Sequence, residues 1–348
     1  MRWVVFVVVV IVGMAVFADE IVQRVGSGEQ VLKGIESIGT ETYKEVNVKI
    51  GGSFQKIPAE NIIDIKREKS SLVYQSAEEL RAQGNYAEAL KKYEAAMARE
   101  GEEWEKIYSA YYKSLCLQML GTVEPARLKD AVKSYKEFIE KWKEHRLVPH
   151  AHQGRGISAM GSGDWAEAQD AFTKLSGGEY GSYWRLRGKY WLGELAYRRG
   201  ELANAKKIWA EILAEAERMG MKDVRAKYEL VTALEELDKG NTAKAKSSLE
   251  KIVDIGLGGM DPSIGYEVLA KAHKALGDCY YKEAGGDKAK MRKALFEYLK
   301  VILLYSLSKQ EYIHSLQMAI EISKKLDSDD DKKRVDDLSR ELAKARGS

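Results

Sequence analysis

The chain has 348 residues, 45% hydrophobic and 31% charged, with 56 basic against 53 acidic side chains and a formal net charge of +3. That near-balance gives no global attraction to nucleic acid. Four prolines in a chain rich in Ala, Glu, Lys and Leu imply a mostly helical protein, and the length fits two or so domains, or one domain followed by a repeat array.

The first 18 residues read as a targeting segment. Met1-Arg2 supplies a positive start, Trp3 to Val12 is an unbroken apolar run continuing to Phe17, and Val16-Phe17-Ala18 forms a cleavage site ahead of Asp19-Glu20. The run is shorter than the ~20 residues of a spanning helix, so a cleaved secretory signal and a periplasmic or secreted protein are expected. No cysteine follows Ala18 to carry a lipid. Membrane association is expected only if the segment stays uncleaved and tethers the chain. Nothing beyond residue 18 is apolar enough to span a bilayer.

Residues 19–68 change character. Ile21, Val22 and Val25 open an extended segment, and Gly26-Ser27-Gly28 is a turn. Gln30 to Ile38 resumes with Val31, Lys33 and Ile35 on one face and Gly34 inside the run, which predicts a bend or bulge. Glu45 to Ile50 alternates as a half-buried strand, Gly51-Gly52-Ser53 turns into Phe54 to Ile57, and Ile62, Ile63 and Ile65 close the segment. Five short strands in about 50 residues predict a small, strongly bent barrel.

From Ser71 onward the sequence repeats. Gly84-Asn85-Tyr86-Ala87-Glu88-Ala89, Gly163-Asp164-Trp165-Ala166-Glu167-Ala168, Gly200-Glu201-Leu202-Ala203-Asn204-Ala205 and Gly240-Asn241-Thr242-Ala243-Lys244-Ala245 share one pattern. A large residue stands nine positions after each glycine (Tyr93, Phe172, Trp209, Leu249), and Gly121 falls between the first two strings. Each glycine is expected to end a helix in the left-handed conformation, and the Asn or Asp after it to cap the next. Seven residues before the glycines stand Ala77, Ser114, Gly156, Gly193 and Ala233, small residues that thin the first helix where the second crosses it. Six hairpins are predicted at 71–100, 103–145, 148–177, 183–219, 222–255 and 264–305. A terminal pair at 309–326 and 331–346 has a polar outer helix, as a cap requires.

Two resemblances rest on these residues. The repeats, with their small residue, Gly-Asp/Asn-aromatic string, alanines and large aromatic, resemble the tetratricopeptide repeat, although steps of 37 to 42 exceed the usual ~34 residues. Residues 19–68 resemble the Sm-like small β-barrels through the glycine-bent second strand, the Gly51-Gly52 hairpin and Ile57-Pro58 four residues ahead of Ile62. Some relatives of that fold bind RNA or form rings. These loops carry no aromatic or basic cluster to stack bases, so a docking module at the head of the array is expected. Together the resemblances imply an α+β chain: signal peptide 1–18, five-stranded β-barrel 19–68, and a right-handed solenoid of tetratricopeptide-like hairpins over 71–346 with C-terminal capping helices.

The resemblance also implies a partner-binding groove lined by the first helix of each hairpin. Its positions include Tyr74 and Arg81; Tyr108, Tyr111 and Gln118; His150, Gln153 and Met160; Arg187, Tyr190, Glu194 and Tyr197; Lys227, Leu230 and Leu237; and Lys271, Lys274, Asp278 and Tyr281. Tyr and Arg dominate binding hot spots, so protein or peptide ligands with acidic or aromatic side chains are expected. The bland alternative is that these tyrosines are half-buried between hairpins. The Lys/Asn clamp that holds a C-terminal carboxylate in this family is not found.

Other motifs are weaker. His145, His150 and His152 surround Pro149 in an expected turn without a completing metal ligand. Asp327 to Asp331 lacks the glycine and glutamate of a calcium loop and more simply favours the helix near Lys332. Gly256-Leu257-Gly258-Gly259 lacks a phosphate-loop ending and reads as a linker. Cys116 and Cys279 occupy the same repeat position four repeats apart, at ~10 Å per hairpin, so two buried free thiols are expected rather than a disulfide. No catalytic constellation, metal or cofactor is predicted. The expectation is a non-enzymatic, exported protein-interaction scaffold of the cell envelope; the competing reading is a cell-wall or glycan-associated binding protein of the periplasm.

Overall fold

The computed structural model describes residues 19–26, 28–255 and 262–347. The expected signal segment 1–18 and the linker at 256–259 lie outside the described residues. The chain divides into two compact units, one comprising residues up to 171 together with 178–184, the other comprising 172–177 and 185 onward.

The first unit opens with β1 (Asp19–Val25), β2 (Gly28–Glu41), β3 (Glu45–Ile50), β4 (Ser53–Pro58) and β5 (Ile62–Lys66), in the sheet order β4-β3-β2-β1-β5 with antiparallel neighbours. Its core is Ile21, Ile35, Val46, Val48, Ile57, Ile62 and Ile65. The expected closed barrel is replaced by an open sheet: among the described residues β4 pairs only with β3, and β5 only with β1. Pro58 ends β4 without an N–H to offer a further strand, and the 3₁₀ turn Ala59–Asn61 leads the chain to the far side of β1.

β2 departs from the expected alternation. Gly34 has φ +74°, and the β1–β2 register slips where it stands, with Asp19 opposite Ile35 but Ile21 opposite Leu32. Two more slips against β3 follow, between Ile35 and Ser37 and between Ile38 and Glu41. Each adds a residue, so the strand turns its more buried side chains inward at Leu32, Ile35, Ile38 and Glu41, every third position instead of every second. Val31, expected on the same face as Ile35, is 47% exposed while Ile35 is buried. The strand's last inward residue is thus a carboxylate.

Helices follow in antiparallel pairs: α1 (Leu72–Ala82) with α2 (Tyr86–Ala98), α3 (Glu103–Leu120) with α4 (Ala126–Lys141), α5 (Val148–Gly161) with α6 (Trp165–Ser176), α7 (Ser182–Arg198) with α8 (Leu202–Arg218), α9 (Lys222–Asp238) with α10 (Thr242–Ile255), α11 (Pro262–Ala284) with α12 (Lys288–Leu304), and α13 (Lys309–Leu326) with α14 (Asp329–Gly347). Gly84, Gly163, Gly200 and Gly240 sit at φ +77° to +79°, the left-handed conformation that glycine adopts without strain. Asn85 and Asp164 then accept the backbone N–H of Glu88 and Glu167 as helix caps.

Gly121 is different. Its φ is −60°, and a Cβ there would stand 2.4 Å from Leu128 Cδ2. Its value is closeness, not handedness. The same holds at Gly193, where a Cβ would meet Trp209 Nε1 at 2.4 Å, and at Gly277, where it would meet Tyr298 Cε1 at 2.7 Å. In α7/α8 and α11/α12 the large aromatic of the second helix therefore lies on the small residue of the first. Trp209 is fully buried and donates its indole N–H to the Tyr190 carbonyl at 3.1 Å. His150 and His152 lie inside α5 rather than in a turn, and Asp329, Asp330 and Asp331 form the first turn of α14. Both cysteines are free and buried.

Candidate functional site

Within the first unit, a cleft of about 500 Å³ opens beside β5, α1 and α3, lined by Asp64, Arg67, Tyr74, Glu78, Arg81, Trp104 and Tyr112 among others. Tyr74 packs edge-on against Tyr93 and Trp104. Arg81 donates to Tyr93 Oη at 3.1 Å and to Glu78 at 2.5 Å while its guanidinium covers the Tyr112 ring at 4.3 Å. Arg67 covers Trp104 in the same way at 5.2 Å. The cleft thus carries arginine-capped aromatic rings with carboxylates beside them.

Tyr108, expected to face the groove, is instead enclosed. Its hydroxyl donates to Glu41 Oε2 at 2.6 Å and accepts from Arg146 Nη2 at 2.7 Å. Glu41 also accepts from Arg146 Nε at 2.8 Å and from Arg67, and His145 Nε2 stands 3.8 Å away. Burial alone would raise the Glu41 carboxyl; Arg146, Arg67 and the Tyr108 hydrogen bond outweigh it and hold it below the ordinary range. Burial lowers the His145 imidazole to about 4, and its Nδ1 accepts the Leu147 N–H at 3.2 Å, so the neutral ring carries its proton on Nε2. Backbone contacts complete this junction of sheet and helices: Tyr43 N donates to Glu144 O at 2.8 Å, and Thr42 bridges to His145. Further along, Glu60 accepts the Tyr183 N–H at 2.9 Å and Arg24 covers the Tyr183 ring at 3.7 Å. Tyr111 is half-buried against Tyr135, Phe138 and His150, and Gln118 accepts from the Tyr135 hydroxyl at 3.0 Å.

The second unit gathers predicted positions from successive first helices. Tyr197 of α7, Leu230 and Leu237 of α9, and Lys271, Lys274 and Asp278 of α11 line one pocket of about 340 Å³, joined by Gln310, Glu311 and His314 of α13. Its charges are paired. Lys271 donates to Glu267 at 2.6 Å and lies 5.1 Å from the Tyr197 ring centre, with Lys227 at 5.2 Å. Asp278 meets Lys274 at 2.6 Å, His314 at 3.0 Å and the Tyr298 hydroxyl at 2.6 Å. Burial opposes ionisation of Glu267, but Lys227, Lys271 and Arg198 bring its carboxyl down to about 2.

Buried ion pairs also join α7 to α9. Arg187 pairs with Asp223 at 2.6 Å, and Glu194 with Lys227 at 2.9 Å and Arg198 at 2.8 Å. Arg187, Tyr190 and Glu194 are therefore enclosed, not offered to a partner. Tyr281 donates to Glu321 at 2.5 Å and is reached by Lys325, beyond the pocket. The structure thus brings Tyr74 and Arg81 into one cleft and Tyr197, Lys271 and Lys274 into another. It encloses Tyr108, Arg187, Tyr190 and Glu194. Sequence reasoning missed Glu41, Arg146 and His314. His314 had a usable signal, the first-helix register continued into α13, but Glu41 and Arg146 are 105 residues apart and no local pattern joins them.

No protein-family model and no curated protein matches the sequence. Among solved structures the chain is similar to a tetratricopeptide repeat protein from Parabacteroides merdae ATCC 43184, at 14% identity and a TM-score of 0.44, over 77% of this chain and 97% of that one. It is also similar to BtubC (BKLC) from P. vanneervenii, at 13% identity and a TM-score of 0.39, over 71% and 92%. A third is the TPR domain of P58(IPK), at 14% identity and a TM-score of 0.26, over 79% and 80%.

Proposed function

We propose that this chain is an exported, non-enzymatic scaffold that holds partner peptides or proteins along the first helices of its hairpins. The observation that carries the reading is the α7–α9–α11–α13 pocket, where one repeat position after another contributes to a single cavity. Its leucines offer an apolar floor, and the Lys271–Glu267 and Lys274–Asp278 pairs set opposite charges at its rim. That combination fits a peptide bearing both apolar anchors and charged side chains. The non-enzymatic part is supported by the mutual pairing of these charges and by thiols that burial keeps protonated, raising the pKa to about 12 at Cys116 and about 11 at Cys279.

Export rests on the order of charge, apolar run and cleavage site in residues 1–18, and makes the cell envelope the place of action. In this reading residues 19–68 are a relative of the Sm-like barrels that serves as a docking head, and 71–346 is a tetratricopeptide-like solenoid. A photo-crosslinking side chain at Leu234 or Gln310, both lining the pocket, tests it in the native envelope. Recovery of a defined protein partner, competed by its peptide, is expected. Recovery of polysaccharide alone would overturn the scaffold in favour of the glycan-binding alternative.

A further inference from the structure

Helix α12 has a face that its hairpin does not use. Met291, Ala294, Leu295, Tyr298 and Val301 are buried. On the opposite side, Arg292, Lys293, Phe296, Lys300, Leu303 and Leu304 fall within about 120° of the helix circumference at roughly 100° per residue. Phe296, Leu303 and Leu304, with Leu307 in the turn beyond, are 59% to 85% exposed. Single exposed apolar side chains are ordinary, but four of the ten large ones exposed among the described residues lie within 296–307.

The charges on this face are all of one sign. Arg292, Lys293 and Lys300 lie on it, Lys290 borders it and Lys309 follows the turn at the start of α13, and between Lys288 and Gln310 the sequence holds one carboxylate, Glu297. Glu297 is buried and already engaged by His273 at 2.7 Å and Lys300 at 2.9 Å. Lys290, Arg292 and Lys293 have no ion-pair partner among the described residues. A second copy would present the same cations and repel. The pocket proposed above draws on α7, α9, α11 and α13, not on α12, so this face is a separate surface.

We propose that the exposed face of α12 and the turn after it dock on an anionic phospholipid bilayer. Phe296, Leu303, Leu304 and Leu307 enter the boundary between headgroups and acyl chains, and Arg292, Lys293 and Lys300 meet the phosphates. This contact needs no uncleaved N-terminal segment.

The test is an environment-sensitive fluorophore on the full chain carrying Leu303→Cys, labelled natively while Cys116 and Cys279 are buried. Because the probe is local, it separates this contact from any association through residues 1–18. Vesicles of 70:30 phosphatidylcholine:phosphatidylglycerol should shift the emission to the blue with a several-fold gain in intensity. Each basic residue near such a surface changes partitioning about fivefold, so Arg292→Glu with Lys293→Glu should weaken the response at least twentyfold. High salt should also weaken it. The proposal is overturned by no response to anionic vesicles, by an equal response to pure phosphatidylcholine, or by an equal response from a probe at Lys91→Cys on α2. It is likewise overturned by a concentration-dependent shift without lipid, which marks a second copy, or by emission already blue at every concentration, which marks coverage by the chain itself.

Discussion

Replacing Glu41 by Gln is the sharpest perturbation the first unit allows. The carboxylate is almost wholly buried, with Arg146 and Arg67 as its counter-ions and the Tyr108 hydroxyl as donor. Glutamine keeps the shape but leaves two guanidinium groups facing a neutral amide in a site closed to water. Removing one member of a buried ion-pair network typically costs about 3–5 kcal/mol, a large part of the ~5–15 kcal/mol that holds a domain together. Urea unfolding followed by circular dichroism should show the early transition at lower denaturant. Limited proteolysis should cut the connection at Arg67 to Ser71, where the sheet leaves the helices. A companion Arg146→Met should recover part of the loss, because both buried charges then go together. A loss below about 1 kcal/mol for Glu41→Gln, with the connection still protected, would show that water reaches this carboxylate and that the junction is held by packing alone.

Four further outcomes follow from the same structure. Because burial lowers the His145 imidazole from 6.5 to about 4, the unfolded chain binds the extra proton in that window, so stability falls as pH drops from 6.5 to 4, by up to about 1.4 kcal/mol per unit; His145→Gln should flatten the pH–melting profile there, and an unchanged profile refutes the assignment. Gly193→Ala pushes a methyl into the Trp209 indole and should cost about 1–2 kcal/mol after the helix-propensity gain, with Trp209→Phe relieving part of it; a stabilised Gly193→Ala measured by denaturation contradicts the packing. Lys227→Met should destabilise the second unit by up to about 3 kcal/mol by leaving the buried Glu194 with the part-exposed Arg198 as its remaining counter-ion, and Lys227→Met with Glu194→Met should restore most of it in hydrogen exchange; equal losses in both refute the pairing. A thiol reagent should find neither cysteine in the native chain and two in urea, and fast labelling or a mass two units low in the native state would contradict two buried thiols.

How much of this was legible in the sequence depended on how local the physics is. A hairpin turn is settled by one glycine and the residue after it, so Gly84, Gly163, Gly200 and Gly240 gave the helix register directly. Gly121 carried the same letter for another reason, contact with Leu128, and the sequence does not distinguish a glycine needed for handedness from one needed for closeness. In β2 the irregularity at Gly34 is legible but the inner face is not, because each slip in register moves that face by one residue and only the facing strand reveals how many slips there are. At the site, Tyr197, Lys271 and Lys274 could be placed beside one another because equivalent positions on neighbouring hairpins stack. Tyr108, Arg187 and Glu194 obeyed the same register, yet partners from distant elements (Glu41, Asp223, Lys227) enclose them, and nothing around those residues announces it.

The 105 residues between Glu41 and Arg146 also have a meaning in time. At ~5–20 residues per second, the ribosome finishes the sheet at Lys66 roughly 4–16 seconds before it makes Arg146, the second arginine on the inward carboxylate. For that interval the isoleucine-rich sheet stands with an inward acid that has Arg67 as a counter-ion but still lacks Tyr108 and then Arg146. The nascent sheet is therefore a waiting half, whose inward acid faces water until Tyr108 and Arg146 are made, and the same side chain later becomes the seal.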